Sequence, residues 1–145
     1  MARFTTAPPE PLPPPAGVHV CKIVEAKERT SQNGNAVLAM RLRFPGGEEL
    51  SPLITFAEST RKIVGYFARS AGLILPTEPD VECEILPGDV LNRYLFVEVV
   101  YDDGTPRVAR YLSRDEALAV NPRLVEIRVQ PQEPRILKPL GGEAL

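Results

Sequence analysis

The chain holds a single histidine, His19, which excludes a histidine-based triad and any two-histidine metal site. His19 and Cys21 stand two apart in a β-branched run, so a strand would put both on one face. The pair reads either as half of a metal site with no further ligand apparent or as a strand histidine, surface-exposed or partly buried. Cys21 and Cys83 have no CxxC spacing for zinc and are too few for a disulfide framework. Gly46-Gly47 and Gly141-Gly142 lack the lysine and helix of a phosphate loop. Five acids and no base fall between Glu78 and Asp89, a segment open to three readings: metal binding, a decoy for basic partners, or a solvated loop. No nucleophile is spaced to meet a base. The chemistry expected is binding without catalysis and without a cofactor.

Cations are better supplied than the net charge of −2 suggests. Lys22, Lys27, Arg29, Arg41 and Arg43 face only Glu25 and Glu28 over residues 22–43. A second basic stretch, from Arg107 through Arg110 to Arg128, is also net positive. The acidic 78–89 segment masks both in the total. A groove of positive sign can follow a phosphate backbone, and aromatic side chains can stack on bases. The stacking candidates are Phe56, Tyr94, Phe96 and Tyr111, from only four tyrosines and five phenylalanines with no tryptophan. Each of these residues is equally able to serve as core cover.

The elements that must position these side chains are mostly strands. Gly17 to Lys27 is β-branched with imperfect alternation, which predicts a long strand with a bulge or bend. Asn33-Gly34 predicts a hairpin turn. Leu38, Met40, Leu42 and Phe44 then alternate with Ala39, Arg41 and Arg43, giving an apolar face and a guanidinium face. Pro45-Gly46-Gly47 turns the chain into a third strand over 50–56, where Pro52 marks an edge or bulge. Ile63, Val64, Phe67 and Ala71 trace a helix stripe over 59–72, capped by Ser59 or Thr60 and stopped by Gly72. A hairpin follows, 94–101 and 106–112 about Asp102-Asp103-Gly104-Thr105, with Arg107, Ala109 and Tyr111 expected on one face. Ser113 predicts the cap of a short helix ending at Asn121-Pro122, and 124–129 reads as one more strand. Three strands, a helix and two strands is the element order of the OB-fold, a five-stranded Greek-key barrel with its helix between strands 3 and 4.

With 145 residues, 43% of them hydrophobic, the chain suits one domain. Six of its sixteen prolines fall between Pro8 and Pro15, predicting an extended arm that acts as a spacer, a strap or a proline-motif ligand. The expected organisation is a Pro-rich arm over 1–16, the barrel over 17–129 and an extended tail over 130–145. No apolar run is long enough to span a membrane, and the N-terminus lacks the apolar core of a secretory signal. A cytoplasmic protein without membrane contact is expected.

The run from Gly17 to Leu38, with its Gly-led first strand and Thr30-Ser31-Gln32-Asn33-Gly34-Asn35 turn, resembles a phage- and prophage-encoded family. Ala71-Gly72-Leu73 after the helix is similar too, and the likeness covers roughly residues 17–112. Its members are small proteins commonly regarded as OB-fold single-stranded-DNA-binding proteins. The resemblance implies protection of single-stranded DNA in phage replication or recombination within the bacterial host. It implies that Lys22, Lys27, Arg29, Arg41 and Arg43 line the groove. Proteins of this kind often end in an acidic tail, whereas this chain ends in Gly-Gly-Glu-Ala-Leu with Arg135 and Lys138 nearby.

The expected function is therefore sequence-tolerant single-stranded-DNA binding. Its candidate residues are Lys22, Lys27, Arg29, Arg41, Arg43, Phe56, Tyr94, Phe96, Arg107, Arg110 and Tyr111. Replication or recombination proteins are the expected protein partners, and exposed strand edges would suit a homodimer. The alternative is a phage accessory module that docks through the Pro-rich arm. A metal enzyme using the acidic loop is a third reading. The DNA reading needs a closed barrel that gathers its cations along one channel.

Overall fold

β1 (Gly17–Thr30) is the longest element, and its Val- and Ile-rich first half suits a strand covered on both faces. The structure, a computed structural model, describes residues 2–3, 10–77, 81–129 and 132–140. Pro8 and Pro9 of the arm, Glu78 and Asp80 of the acidic segment, and residues 141–145 lie outside them. β1 pairs with β2 (Ala36–Arg43) through residues 22–30 and with β6 (Tyr94–Asp102) through residues 17–22, both antiparallel. A bulge between Ile23 and Glu25 bends the strand from one neighbour to the other. At the hairpin between β1 and β2, Gly34 takes φ 83°, and the Ser31 amide donates to the Asn35 carbonyl at 2.8 Å.

β2 keeps its alternation: Leu38, Met40 and Leu42 are buried, while Arg41 and Arg43 turn outward. The third strand is broken at Ser51-Pro52 into β3 (Glu49–Leu50) and β4 (Leu53–Phe56), both pairing with β2. A 3-10 turn leads into α1 (Arg61–Ser70). Thr60 occupies the N-cap position without capping; its hydroxyl turns back to accept from the Ala57 amide and donate to the Thr55 carbonyl. Phe67, Ala68 and Ala71 are buried as the stripe requires, but Ile63 is half exposed. At the helix end Gly72 takes φ +77°, where an added Cβ would stand 2.8 Å from Arg93 Nη2.

After β5 (Leu73–Ile74) and the single turn α2 (Pro87–Val90), β6 and β7 (Thr105–Leu112) close on Asp103 and Gly104, both at positive φ. Ser113 caps α3 (Arg114–Val120) as expected, accepting from the Glu116 amide while Glu116 accepts from the Ser113 amide. The strand expected over 124–129 does not form. Pro122 instead starts a 3-10 turn over Pro122–Glu126.

The sheet runs β3-β2-β1-β6-β7, with β4 also on β2. Three consecutive strands, then a fourth returning beside the first through a long connection, is a Greek-key arrangement. The protein is thus mainly β, a six-stranded antiparallel sheet with short helices. It is not the closed barrel expected: among the described residues β7 pairs with neither β3 nor β4. Pro52 breaks the third strand, and Pro106 has no amide to offer an edge. α1 packs against both β4 and β7 in the space between them.

Two cores result. The larger lies between the inner sheet face and α1, and includes Ile23, Leu42, Phe67, Val97 and Tyr111. The smaller lies where α3 and the 122–126 turn cover the outer sheet face at Val18, Val20, Phe96 and Leu112. Residues 12–15 and 132–140 lie along this body. Pro14 is fully buried, its carbonyl accepting from the Tyr101 hydroxyl at 2.6 Å, and the Leu12 carbonyl accepts from the Glu49 amide at 3.0 Å. Residues 132–140, read as tail, also dock: β8 (Arg135–Ile136) pairs parallel with β5, and Leu137 is buried in the larger core.

Candidate nucleic-acid interface

The β1–β2 register lays cations in rows on one outward face. Lys22 lies opposite Arg43, Glu25 opposite Arg41 and Lys27 opposite Ala39, with Arg29 beyond. The bulge at Val24 makes this possible. Without the extra residue, Lys22 and Lys27 would fall on opposite faces, because strand side chains alternate. From Lys22 to Arg29 the face extends roughly 20 Å along the strand. Lys27, Arg29 and Arg41 border a hollow of about 230 Å³ that reaches Ser51 and Leu53.

This face is less cationic than its arginines suggest. Glu25 pairs with Lys27 at 3.0 Å and with Arg41 at 3.2 Å. Glu49 takes Arg43 at 2.9 Å and reaches Arg41 at 3.7 Å. The Lys27 hydrogen bond first, and then the Lys27 and Arg41 charges, hold the Glu25 carboxyl below the usual glutamate range. The Glu25 pairs are exposed and screened by solvent, so they hold the cations only weakly, whereas the Glu49 side chain is mostly buried. Lys22 and Arg29 make no ion pair among the described residues.

At the Lys22 end, the Lys22 ammonium stands 6.0 Å over the Tyr94 ring. Lys22, Arg43, Tyr94 and Arg128 border a hollow of about 380 Å³ whose described lining contains no acid. Of the four expected stacking residues, only Tyr94 is thus placed beside the cations of β1 and β2; Tyr111 lines the slot that Arg107 and Arg110 border. Phe96 is buried because α3 and the 122–126 turn cover its face of β6. Tyr111 is buried edge-on to Phe67 with ring centroids 5.3 Å apart, and burial raises its hydroxyl pKa. Phe56 lies away from the cationic face, with Arg61, Val64 and Cys83.

Tyr111 faces inward because of a second bulge. Glu98 pairs with Arg110 but Val99 pairs with Val108, leaving Ala109 unmatched. The expected grouping of Arg107, Ala109 and Tyr111 is therefore wrong: Val108 and Tyr111 share the inner face, and Arg107 and Arg110 the outer one. Arg107 is paired with Asp102, and Arg110 with Glu98 at 2.7 Å. Both border a slot of about 560 Å³ between β4 and β7, floored by Ile63 and Tyr66 of α1. Ser51 and Leu53 line both this slot and the hollow of Lys27 and Arg41, so the two abut. The two basic stretches thus meet across β4 and not along one channel.

Tyr66 was missed from sequence, and Arg128 was counted in the second basic stretch but not among the candidate binding residues. Tyr66 is half exposed, three residues after Ile63 and on the same side of α1, so an exposed aromatic was readable there. His19 Nε2 meets the Pro15 carbonyl at 2.8 Å, and burial pushes the Cys21 thiol pKa up. Among the described residues no three His, Cys, Asp or Glu side chains gather to hold a metal, and no helix is long and apolar enough to cross a membrane. Compared with known proteins, the chain matches no protein-family model and none of the curated sequences.

Proposed function

We propose that the protein binds single-stranded DNA without sequence preference, along the outward face of β1 and β2, and that it is not an enzyme. The observation that carries this reading is the in-register row of Lys22, Lys27, Arg29, Arg41 and Arg43 on one face, ending at Tyr94. Cations track phosphates, and the tyrosine at the end supplies a stacking surface for a base. Among the described residues the sheet does not close and Arg107 and Arg110 lie off this face, so the single channel expected from the sequence is absent. The reading rests on the β1–β2 face alone, as part of an OB-type sheet left open between its third and fifth strands. The likeness of residues 17–38 to the phage single-strand-binding family adds the setting: replication or recombination of phage DNA in the host cell. The accessory-module alternative needs a free Pro-rich arm, and Leu12 to Pro15 are engaged by Glu49, Tyr101 and His19.

The test is a titration of fluorescent dT and duplex oligonucleotides at two salt concentrations. Binding to dT should weaken with salt at a log–log slope of about −0.7 per phosphate neutralised. Replacing Arg41 and Arg43 together by alanine should flatten that slope by about one to two and weaken binding, since it also leaves Glu49 unpaired beside the track. Salt-independent binding, or none at low salt, defeats the proposal.

A further inference from the structure

We propose that the slot between β4 and β7 receives an extended acidic–apolar segment of a partner protein as an added strand. The inference does not rest on the DNA reading. Strand residues direct their amide and carbonyl alternately to one neighbour and the other. The Glu48 and Pro52 carbonyls bond to Phe44 and Met40 of the β2 side, so the even-numbered residues here face β2. The odd-numbered ones face away, and two of them already have partners: the Glu49 amide donates to Leu12, and the Thr55 carbonyl accepts from Thr60. Between them, the backbone groups of Ser51 and Leu53 open onto the slot.

Across the slot, the two-residue turn makes Asp102–Thr105 the closing pair of the hairpin, which directs the Val108 backbone away from β6. Among the described residues, two strand edges with unused donors and acceptors therefore border one slot, and an extended polypeptide is the ligand that matches both. The Leu12 carbonyl on Glu49 shows the same edge already taking an extended chain. Ile63, Tyr66 and Leu53 are each at least half exposed there, offering apolar contacts to alternate side chains of the guest. Arg107 and Arg110 on one rim, with Lys27, Arg29 and Arg41 across Leu53, favour acidic residues at the other positions, which would compete with Asp102, Glu98 and Glu25 for the paired cations.

The experiment uses the full chain and three labelled heptapeptides: one alternating aspartate and valine, the same sequence N-methylated at alternate residues, and hepta-glutamate. The alternating peptide should bind and slow amide exchange at Leu53 and Val108. N-methylation, which removes the backbone donors, should weaken binding about tenfold or more. Absence of binding overturns the proposal, as does equal binding by the N-methylated peptide or hepta-glutamate, which reduces the slot to charge attraction. A dT oligonucleotide that slowed exchange at Leu53 and Val108 in the peptide's place would assign the slot to nucleic acid and also overturn it.

Discussion

On the proposed DNA reading, Glu25 limits how much of the cationic face a strand can use. It sits between Lys27 and Arg41, which hold its carboxyl below the usual glutamate range. Its depressed pKa means the pairing is intact at neutral pH and is lost only as pH falls below the ordinary carboxylate range of about 4. Protonation then frees two cations, so DNA affinity should rise as pH falls through that window. Glu25→Gln should reproduce the effect at neutral pH, tightening dT binding by up to about fivefold and steepening its salt dependence. Fluorescence anisotropy of both proteins across pH checks this; unchanged affinity in the variant would show that Lys27 and Arg41 do not meet the strand. Ser70 is another residue with a defined task. Its hydroxyl accepts from the Phe96 amide at 2.9 Å and donates to the Phe96 carbonyl at 3.1 Å, tying α1 to β6 in a buried setting.

Two bulges, at Val24 and Ala109, reset which side chains share a face. The first gathers the β1 cations outward, and the second turns Tyr111 into the core. Helix α3 depends on its first turn, where the Ser113 amide and hydroxyl hold the Glu116 carboxyl low, helped by the Arg69 and Arg110 charges. A depressed carboxyl stabilises the fold above its unfolded pKa and loses that contribution as pH falls through the folded value. Urea denaturation should therefore show Glu116→Ala less stable than the parent at pH 7, with the gap narrowing towards pH 3. Ser113→Ala should cost about 1 kcal/mol. α3 was readable from Ser113 and Asn121-Pro122, since capping is a local interaction among neighbours in the chain. The bulges were not, because a bulge exists only relative to the strand opposite.

The molecule is held together by segments distant in sequence. Arg93 donates to the carbonyls of Ala71 and Glu133 at 2.6 Å each, and the Gln132 side chain brackets the backbone of Tyr94. These contacts seat residues 132–140 so that Leu137 completes the larger core. Leu137→Ala should cost about 2–4 kcal/mol in urea denaturation. A loss below about 0.5 kcal/mol would mean that the segment merely trails along the surface.

From the residues alone came the mainly β class, the alternation of β2, the turns at Asn33-Gly34 and Asp103-Gly104, the stop at Gly72 and the cap of α3. Each rests on backbone sterics or side-chain period within a few positions, which local sequence encodes. Folding settled the rest: that Phe96 is covered, that Glu25 and Glu49 shield the arginines, that residues 132–140 dock, and that the sheet stays open between β4 and β7. Those outcomes depend on which surfaces meet after long stretches of chain return, and no local pattern carries that information.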